Sequence, residues 1–348
     1  MPTHKKPESE RFKGPVKYLE YLVARALIAL LQGLPIGLAC RLGRVIGWLA
    51  WKTLSSRRRT VRKNLEIVNA WMDARSADAG EMMTGSAGTV ASGGQFEQNR
   101  EDSHPASLAL PPEAQVKEVF LRNGANLFGG FTFGRMGLEE TRKHLEIDGL
   151  EHLEAALEKG KGAIVLLAHQ GPWEALTQLP ALARSYGIEA PFGALYRPFN
   201  NFYLEQWFRR VREDKGTRLF VARHRFYAPV DFNRDGGILG VLADQRASGG
   251  ETVTFFGRST KATPLPGLLH LRSGAPMLTL AMATLGPARW QLTLRPADPE
   301  TNFGSDQRRA ELAQHIAGQM EKILISSPLD GFWFHDRFKE RRKRNKPK

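Results

Sequence analysis

The sequence predicts an α/β fold, a mainly parallel sheet flanked by helices, preceded by an apolar helical segment. From Val116 onward, short apolar runs of strand length alternate with stretches of helical periodicity, the order that yields parallel strands covered by crossover helices. No period of about 20 to 50 residues recurs, which sets repeat architectures aside. The N-terminus stands apart, because residues 26–40 form an uncharged run of 15 residues flanked by Lys13, Lys17, Arg25, Arg41 and Arg44. The expected division is 12–67 for an N-terminal helical region, 68–114 for a low-complexity insertion or loop, 115–340 for the α/β domain and 341–348 for a basic tail.

In the first region, KYLEYLVARALIALLQGLPIGLAC falls short of the roughly 18 to 20 residues that a clean transmembrane helix needs, and Gly33, Pro35 and Gly37 interrupt it. A second apolar run, VIGWLAW, leads into the basic cluster SSRRRTVRKN, with Trp48 and Trp51 suited to headgroup level. No small-residue cleavage site follows at signal-peptide distance. The segment reads as a membrane anchor, either tilted and spanning or lying in the interface. A buried pair of soluble helices is the alternative. From Met72 to Glu113 the chain turns to Ala, Gly, Ser, Met and Pro, as in DARSADAGEMMTGSAGTVASGGQ, too poor in large apolar residues to offset its ordering entropy, so a mobile insertion or long loop is expected.

The expected strands are GAIVLLA (162–168), APFGALY (190–196), TRLFVA (217–222), GILGVLA (237–243), PMLTLAMA (276–283) and WQLTLRP (290–296). Helices are expected near 173–186, 200–213, 264–273 and 305–325.

Lysine and arginine number 50 against 36 acidic residues, a formal charge of +14, which points to a phosphate-bearing or acidic partner: nucleic acid, an anionic membrane or an acidic protein. The single cysteine, Cys40, excludes an intrachain disulfide and a Cys-rich zinc site, and fits a reducing compartment.

The chemistry concentrates in AHQGPWEAL. His169 ends the strand GAIVLLA, Gly171 allows a tight turn, Pro172 suits the first helical position, and Glu174 falls in the first turn of the following helix. Both side chains therefore sit at the carboxyl end of a parallel strand, where open α/β sheets place their sites. A carboxylate there can hold a histidine tautomer and balance the imidazolium that forms when the ring takes a proton. No G-x-S-x-G elbow is present and Cys40 lies in the apolar segment, so the nucleophile is expected to be a substrate hydroxyl that His169 deprotonates, an assistance worth roughly 100-fold to 10,000-fold. No HExxH pattern or ligand cluster calls for a metal, and no cofactor is expected. Taken on spacing alone, H-x4-E equally describes a structural histidine followed by a helix-capping glutamate.

AHQGPWE after an apolar strand, then LYRPFNN, VLADQR, TVTFFGR, ATPLPGLLHLRSGAP and WFHDRFKERR, resemble in order and spacing the bacterial lipid A late acyltransferases (lauroyl and myristoyl acyltransferases). These belong to the wider glycerolipid acyltransferase superfamily with the H-x4-D/E motif. The resemblance spans about residues 12–67 and 115–342, and makes 115–340 an acyltransferase catalytic domain. It implies a membrane-bound enzyme at the cytoplasmic face of the bacterial inner membrane. The reaction it implies moves a fatty acyl chain from acyl carrier protein, or from coenzyme A, to a hydroxyl of a phosphorylated lipid A precursor, with no nucleic-acid partner.

On that resemblance, His169 is the general base and Glu174 its orienting partner. Arg197 of LYRP holds the acceptor's phosphate; its place at a strand end on the same sheet edge as His169 agrees, since a guanidinium fork suits phosphate. Asp244 and Gln245 end another strand at that edge, where the acid can orient Arg197 or a substrate hydroxyl, or cap a turn. Phe255, Phe256 and Gly257 line the acyl chain or close the site, core packing being the alternative. The block around His335, Arg337 and Lys339 matches the family ending, with Asp336 where an arginine is usual, and Gln170 and Pro172 also depart from relatives. The basic runs RRRTVRK and KERRKRNKPK suit an acidic carrier protein and an anionic leaflet. Alternatives are acyl transfer to a lysophospholipid or other small lipid, and a non-catalytic basic membrane-binding protein.

Overall fold

A computed structural model describes residues 12–85, 110–221, 226–299 and 308–339. The N-terminal apolar region folds as α1 (Pro15–Gln32) and α2 (Ile36–Thr53), followed by α3 (Ser55–Gly85). The interruption read from the sequence is real: the Gly33 N–H closes α1 on the Ala29 and Leu30 carbonyls, and Pro35 stands just before α2. No helix among the described residues is long and apolar enough to cross a membrane.

The expected loop gives way to helix over its first part. α3 runs on to Gly85 because Val61, Leu65, Val68 and Met72 repeat at helical spacing and all enter the core. Residues 86–109 and 341–348 lie outside the described residues, and with them most of the insertion and the whole basic tail. The chain resumes in α4 (Pro112–Thr132), which α2 meets through small residues. A Cβ on Gly43 would stand 2.2 Å from the Gly124 carbonyl oxygen, and one on Gly124 2.1 Å from that of Gly43. Only glycines permit so close a backbone approach.

The α/β domain then runs α5 (Leu138–His144), β1 (Leu145–Asp148), α6 (Leu150–Leu157), β2 (Ala163–Leu167), a 3-10 turn at Trp173–Gln178, α7 (Leu179–Arg184), β3 (Phe192–Tyr196), α8 (Phe202–Asp214), β4 (Thr217–Val221), α9 (Tyr227–Arg234), β5 (Ile238–Leu242), β6 (Glu251–Phe255), β7 (Arg258–Ala262), α10 (Leu265–Ser273), β8 (Met277–Gly286), β9 (Arg289–Pro296) and α11 (Arg308–Ser326). Seven strands form one sheet in the order β1-β9-β8-β2-β5-β3-β4. All neighbours pair parallel except β8 with β9. The fold is therefore α/β with a mostly parallel sheet flanked by helices.

Strand β2 explains why the sheet centre reads as an unbroken apolar run. Its side chains alternate between two cores, Ile164 and Leu166 into one, Ala163, Val165 and Leu167 into the other, so neither face meets water. The helix expected at 173–186 divides into the 3-10 turn and the short α7. β6 and β7 make a separate antiparallel hairpin, turned by Phe256 and Gly257 with φ of 47° and 68°, both in the positive region that a two-residue turn of this kind demands.

Candidate active site

Parallel pairing brings two distant residues together. β2 and β5 lie side by side with Leu167 opposite Leu242, and the Ala243 N–H donates to the Leu167 carbonyl at 3.1 Å. Two residues past each of those partners, His169 and Asp244 leave the carboxyl edge of the sheet as neighbours. His169 Nδ1 lies 2.8 Å from Asp244 Oδ1. An ionised carboxylate can only accept, so the proton sits on Nδ1 and Nε2 keeps its lone pair to take another. Burial pushes the His169 pKa down, but the hydrogen bond and charge of Asp244, with the charge of Glu174, outweigh it and hold the ring above the ordinary histidine value.

Asp244, expected to orient Arg197 or a substrate hydroxyl, thus stands where Glu174 was expected. The 3-10 turn aims the Glu174 carboxylate at α8, where Arg212 Nη2 lies 3.3 Å from each oxygen. Glu174 acts on His169 through space only. The signal that pointed to Asp244 was its position at the end of the strand GILGVLA; what sequence could not supply was that β5 is the strand beside β2.

The turn carrying His169 is held from behind. Gly171 has φ of 60°, and a Cβ there would approach the Met282 Cβ to 2.9 Å, so the turn requires glycine. Gln170 forms an isolated bridge with Gly331, the Phe332 N–H donates to the His169 carbonyl at 2.8 Å, and the Gly171 N–H to the Asp330 carbonyl at 3.1 Å. Asp330 is fully buried. Its carboxylate accepts from Asn126 Nδ2 at 3.0 Å, Thr284 Oγ1 at 2.7 Å, the Thr284 N–H at 2.9 Å, Ser327 Oγ at 2.5 Å and Arg122 Nη1 at 3.3 Å. Nothing in the sequence marked Asp330.

Arg197 lies just past β3, exposed, on the same edge of the sheet as His169. Gln245 is exposed beside Asp244. Phe256 and Gly257 are placed elsewhere: Phe256 is buried, its ring 5.2 Å from Trp71 and 6.2 Å from Trp333, and neither residue borders the apolar cavity next to the motif. That cavity, of about 140 Å³, is walled by Val165, Leu167, Trp173 and Leu219, with Glu174 and Arg212 among its polar walls. Trp173 also packs edge-on against the His169 ring at 5.6 Å, so one side chain stands between the cavity and the base. His335 and Lys339 are exposed, and Arg337 is buried.

A base whose Nε2 has no partner among the described residues, beside an apolar cavity and an exposed arginine on the same sheet edge, can deprotonate the hydroxyl of an anionic substrate and present it to a carbonyl on an apolar chain. The chain is similar to known proteins. The profile of the family described as bacterial lipid A biosynthesis acyltransferase matches residues 105–340. The chain is 25% identical over 337 residues to the lipid A biosynthesis palmitoleoyltransferase of Escherichia coli, covering 96% of this chain and 95% of that protein. It is 24% identical over 221 residues to the phosphatidylinositol mannoside acyltransferase of Mycolicibacterium smegmatis, covering 61% of this chain and 68% of the other. A phosphatidylinositol mannoside acyltransferase of Mycobacterium tuberculosis is 26% identical over 189 residues. The match to the family profile covers most of the chain: the protein belongs to the bacterial lipid A biosynthesis acyltransferase family and is an O-acyltransferase.

Proposed function

We propose that the enzyme transfers a fatty acyl group from a thioester, carried by acyl carrier protein or coenzyme A, to a hydroxyl of a phosphorylated glycolipid of the lipid A type at the cytoplasmic face of the inner membrane. The observation that best supports the reaction is the His169–Asp244 pair opening beside the apolar cavity. The acyl chain enters the cavity past Trp173 and Leu167. His169 Nε2 takes the proton of the acceptor hydroxyl as its oxygen adds to the thioester carbonyl, and Asp244 balances the imidazolium. The tetrahedral intermediate collapses with cleavage of the C–S bond, and the imidazolium returns the proton to the leaving sulfur. One ester forms and one thiol is released, with no acyl-enzyme. Arg197, charged and exposed on the same edge, receives the acceptor's phosphate. The names of the relatives support a glycolipid acceptor, since they describe acyl transfer in lipid A biosynthesis and to phosphatidylinositol mannosides.

α1 and α2 supply the membrane contact. Val16, Leu19, Val23 and Leu30 on α1 are each more than 60% exposed, and Leu42, Val45, Ile46 and Leu49 on α2 are exposed as well. So large an apolar surface, edged by Lys13, Lys17, Arg41 and Arg44, fits a helix pair lying in the interface of an anionic leaflet. The deciding experiment offers the purified enzyme acyl carrier protein and coenzyme A thioesters against a lipid A precursor and a lysophospholipid, with products identified by mass. The glycolipid gaining one acyl group is the expected result. Acylation of the lysophospholipid alone would overturn the choice of acceptor.

A further inference from the structure

Beside Asp244, with which it walls a small cavity, Arg337 presents a problem in hydrogen bonding. Its side chain is 3% exposed. Nη1 donates to the Lys261 carbonyl at 2.9 Å, and the guanidinium lies over the Phe255 ring, 4.6 Å from its centroid. Nε and Nη2 are buried and have no acceptor among the described residues. Burial pushes the guanidinium down to about 10, against the pull of Asp244. A buried cation with two idle donors is costly unless something accepts from them.

The structure offers a place for that acceptor. Arg337 borders a cavity of about 20 Å³ whose other walls include Asp244, Gln245, Phe332, Trp333 and His335. A single water needs roughly 10 to 15 Å³ and two to four polar partners; the volume suffices, and Arg337, Asp244, Gln245 and His335 bring polar side chains to the walls. A phosphate is too large, and the Asp244 carboxylate in the wall opposes any anion.

We infer that this cavity binds one water molecule, which accepts from Arg337 and donates to Asp244, and that Arg337 is thereby a positioning residue for the His169–Asp244 pair. The Asp244 oxygen that bonds His169 fixes one end of the carboxylate. A water on its other oxygen fixes the rotation of the group, so that the charge stays in line with the imidazole. The water site stands on the geometry of Arg337 alone; its consequence for catalysis rests on His169 being the base. The charges facing this cluster are Asp244 and Arg246 past the end of β5, His335 and Asp336 on the C-terminal segment, and Glu174 beside His169.

Two measurements test it. A high-resolution crystal structure of the full chain should show one water within hydrogen-bonding distance of Arg337 Nε or Nη2 and of the Asp244 carboxylate. A direct Arg337–Asp244 contact, a bound anion or a dry cavity overturns the site. In solution, Arg337→Met should lower kcat about tenfold or more while acceptor KM stays within about twofold, and Arg337→Lys, which keeps a charged donor, should recover most of the loss. The acid limb of kcat/KM should move to lower pH in Arg337→Met, because a loosened Asp244 raises His169 less. A limb moving to higher pH would mean that Arg337 acts only as a repelling charge. A lowered Tm with an unmoved limb would mean packing alone. Either result overturns the positioning role, and the Arg337→Lys comparison remains decisive if Arg337→Met folds poorly. Full activity in His169→Ala would instead defeat the base assignment while leaving the water site standing.

Discussion

Replacing Asp244 by Asn separates the partner seen in the structure from the partner suggested by sequence spacing. The amide oxygen can still accept from His169 Nδ1 across the present 2.8 Å, so ring orientation survives, but the balancing charge is gone. A unit charge about 4 Å from the imidazolium, at an effective dielectric near 20, is worth about 4 kcal/mol. A charge-assisted hydrogen bond contributes roughly 1.5 to 3 kcal/mol. With about 1.4 kcal/mol per decade, kcat should fall about 10- to 10³-fold, the upper part of which lies in the range expected for losing general-base assistance. The pH profile should move as well. His169 is held above the ordinary histidine value because Asp244 and Glu174 outweigh burial. Without the Asp244 charge, burial prevails and the acid limb of kcat/KM shifts to lower pH. Steady-state kinetics from about pH 5 to 9, with thioester donor and glycolipid acceptor, measure both effects. Glu174→Gln is the companion: its carboxylate bonds Arg212, so it should lose less than about tenfold in kcat. If Asp244→Asn keeps near wild-type kcat with an unmoved limb while Glu174→Gln falls by hundreds, the charge that serves His169 is Glu174.

Arg197→Lys retains charge but not the bidentate fork, and should raise acceptor KM several-fold, roughly 0.5 to 1 kcal/mol, with donor KM unchanged; equal loss toward both substrates would indicate a structural role. Leu19→Glu with Val23→Glu, both on the exposed face of α1, should release the enzyme from anionic vesicles in flotation assays, and unchanged flotation would argue against α1 as the docking surface. Gly171→Ala places a Cβ 2.9 Å from the Met282 Cβ at φ of 60°; it should cost about 2 to 3 kcal/mol and most of the activity, measured by denaturant unfolding and turnover. Asp330→Ala strands the donors around it, the buried Asn126 and Ser327 among them, and should cost about 3 to 5 kcal/mol, the unfolding midpoint being the readout.

The sheet was legible because burial on both faces writes itself into sequence as unbroken apolar runs, and all six expected strands appear, β2 at Ala163–Leu167 and β8 at Met277–Gly286 among them. The short β1 carries too few residues to stand out, and β6 and β7, written TVTFFGR and STKA, hide in a stretch whose partner is each other rather than the sheet. α3 was cut short in expectation because its later half is rich in small residues, while the apolar face that carries the helix lies upstream at Val61 to Met72. At the site, His169 was visible from its strand-end position. Asp244 was visible as a strand-end acid but not as the histidine's partner, because that depends on which strands are neighbours, and chain order does not state it. Asp330 and the idle donors of Arg337 belong to tertiary packing, and no local pattern announces them.

The claim that His169 deprotonates the acceptor is tested most directly by single turnover of His169→Ala, with radiolabelled acyl thioester and saturating glycolipid in mixed micelles. Transfer should fall by about 10² to 10⁴, the Tm should stay within about 2 °C because a half-buried side chain at a sheet edge carries little of the core, and denatured protein should hold no label at any time point in either form. Wild-type transfer by His169→Ala, or label that accumulates on the protein before reaching the glycolipid, would contradict base catalysis on a substrate hydroxyl.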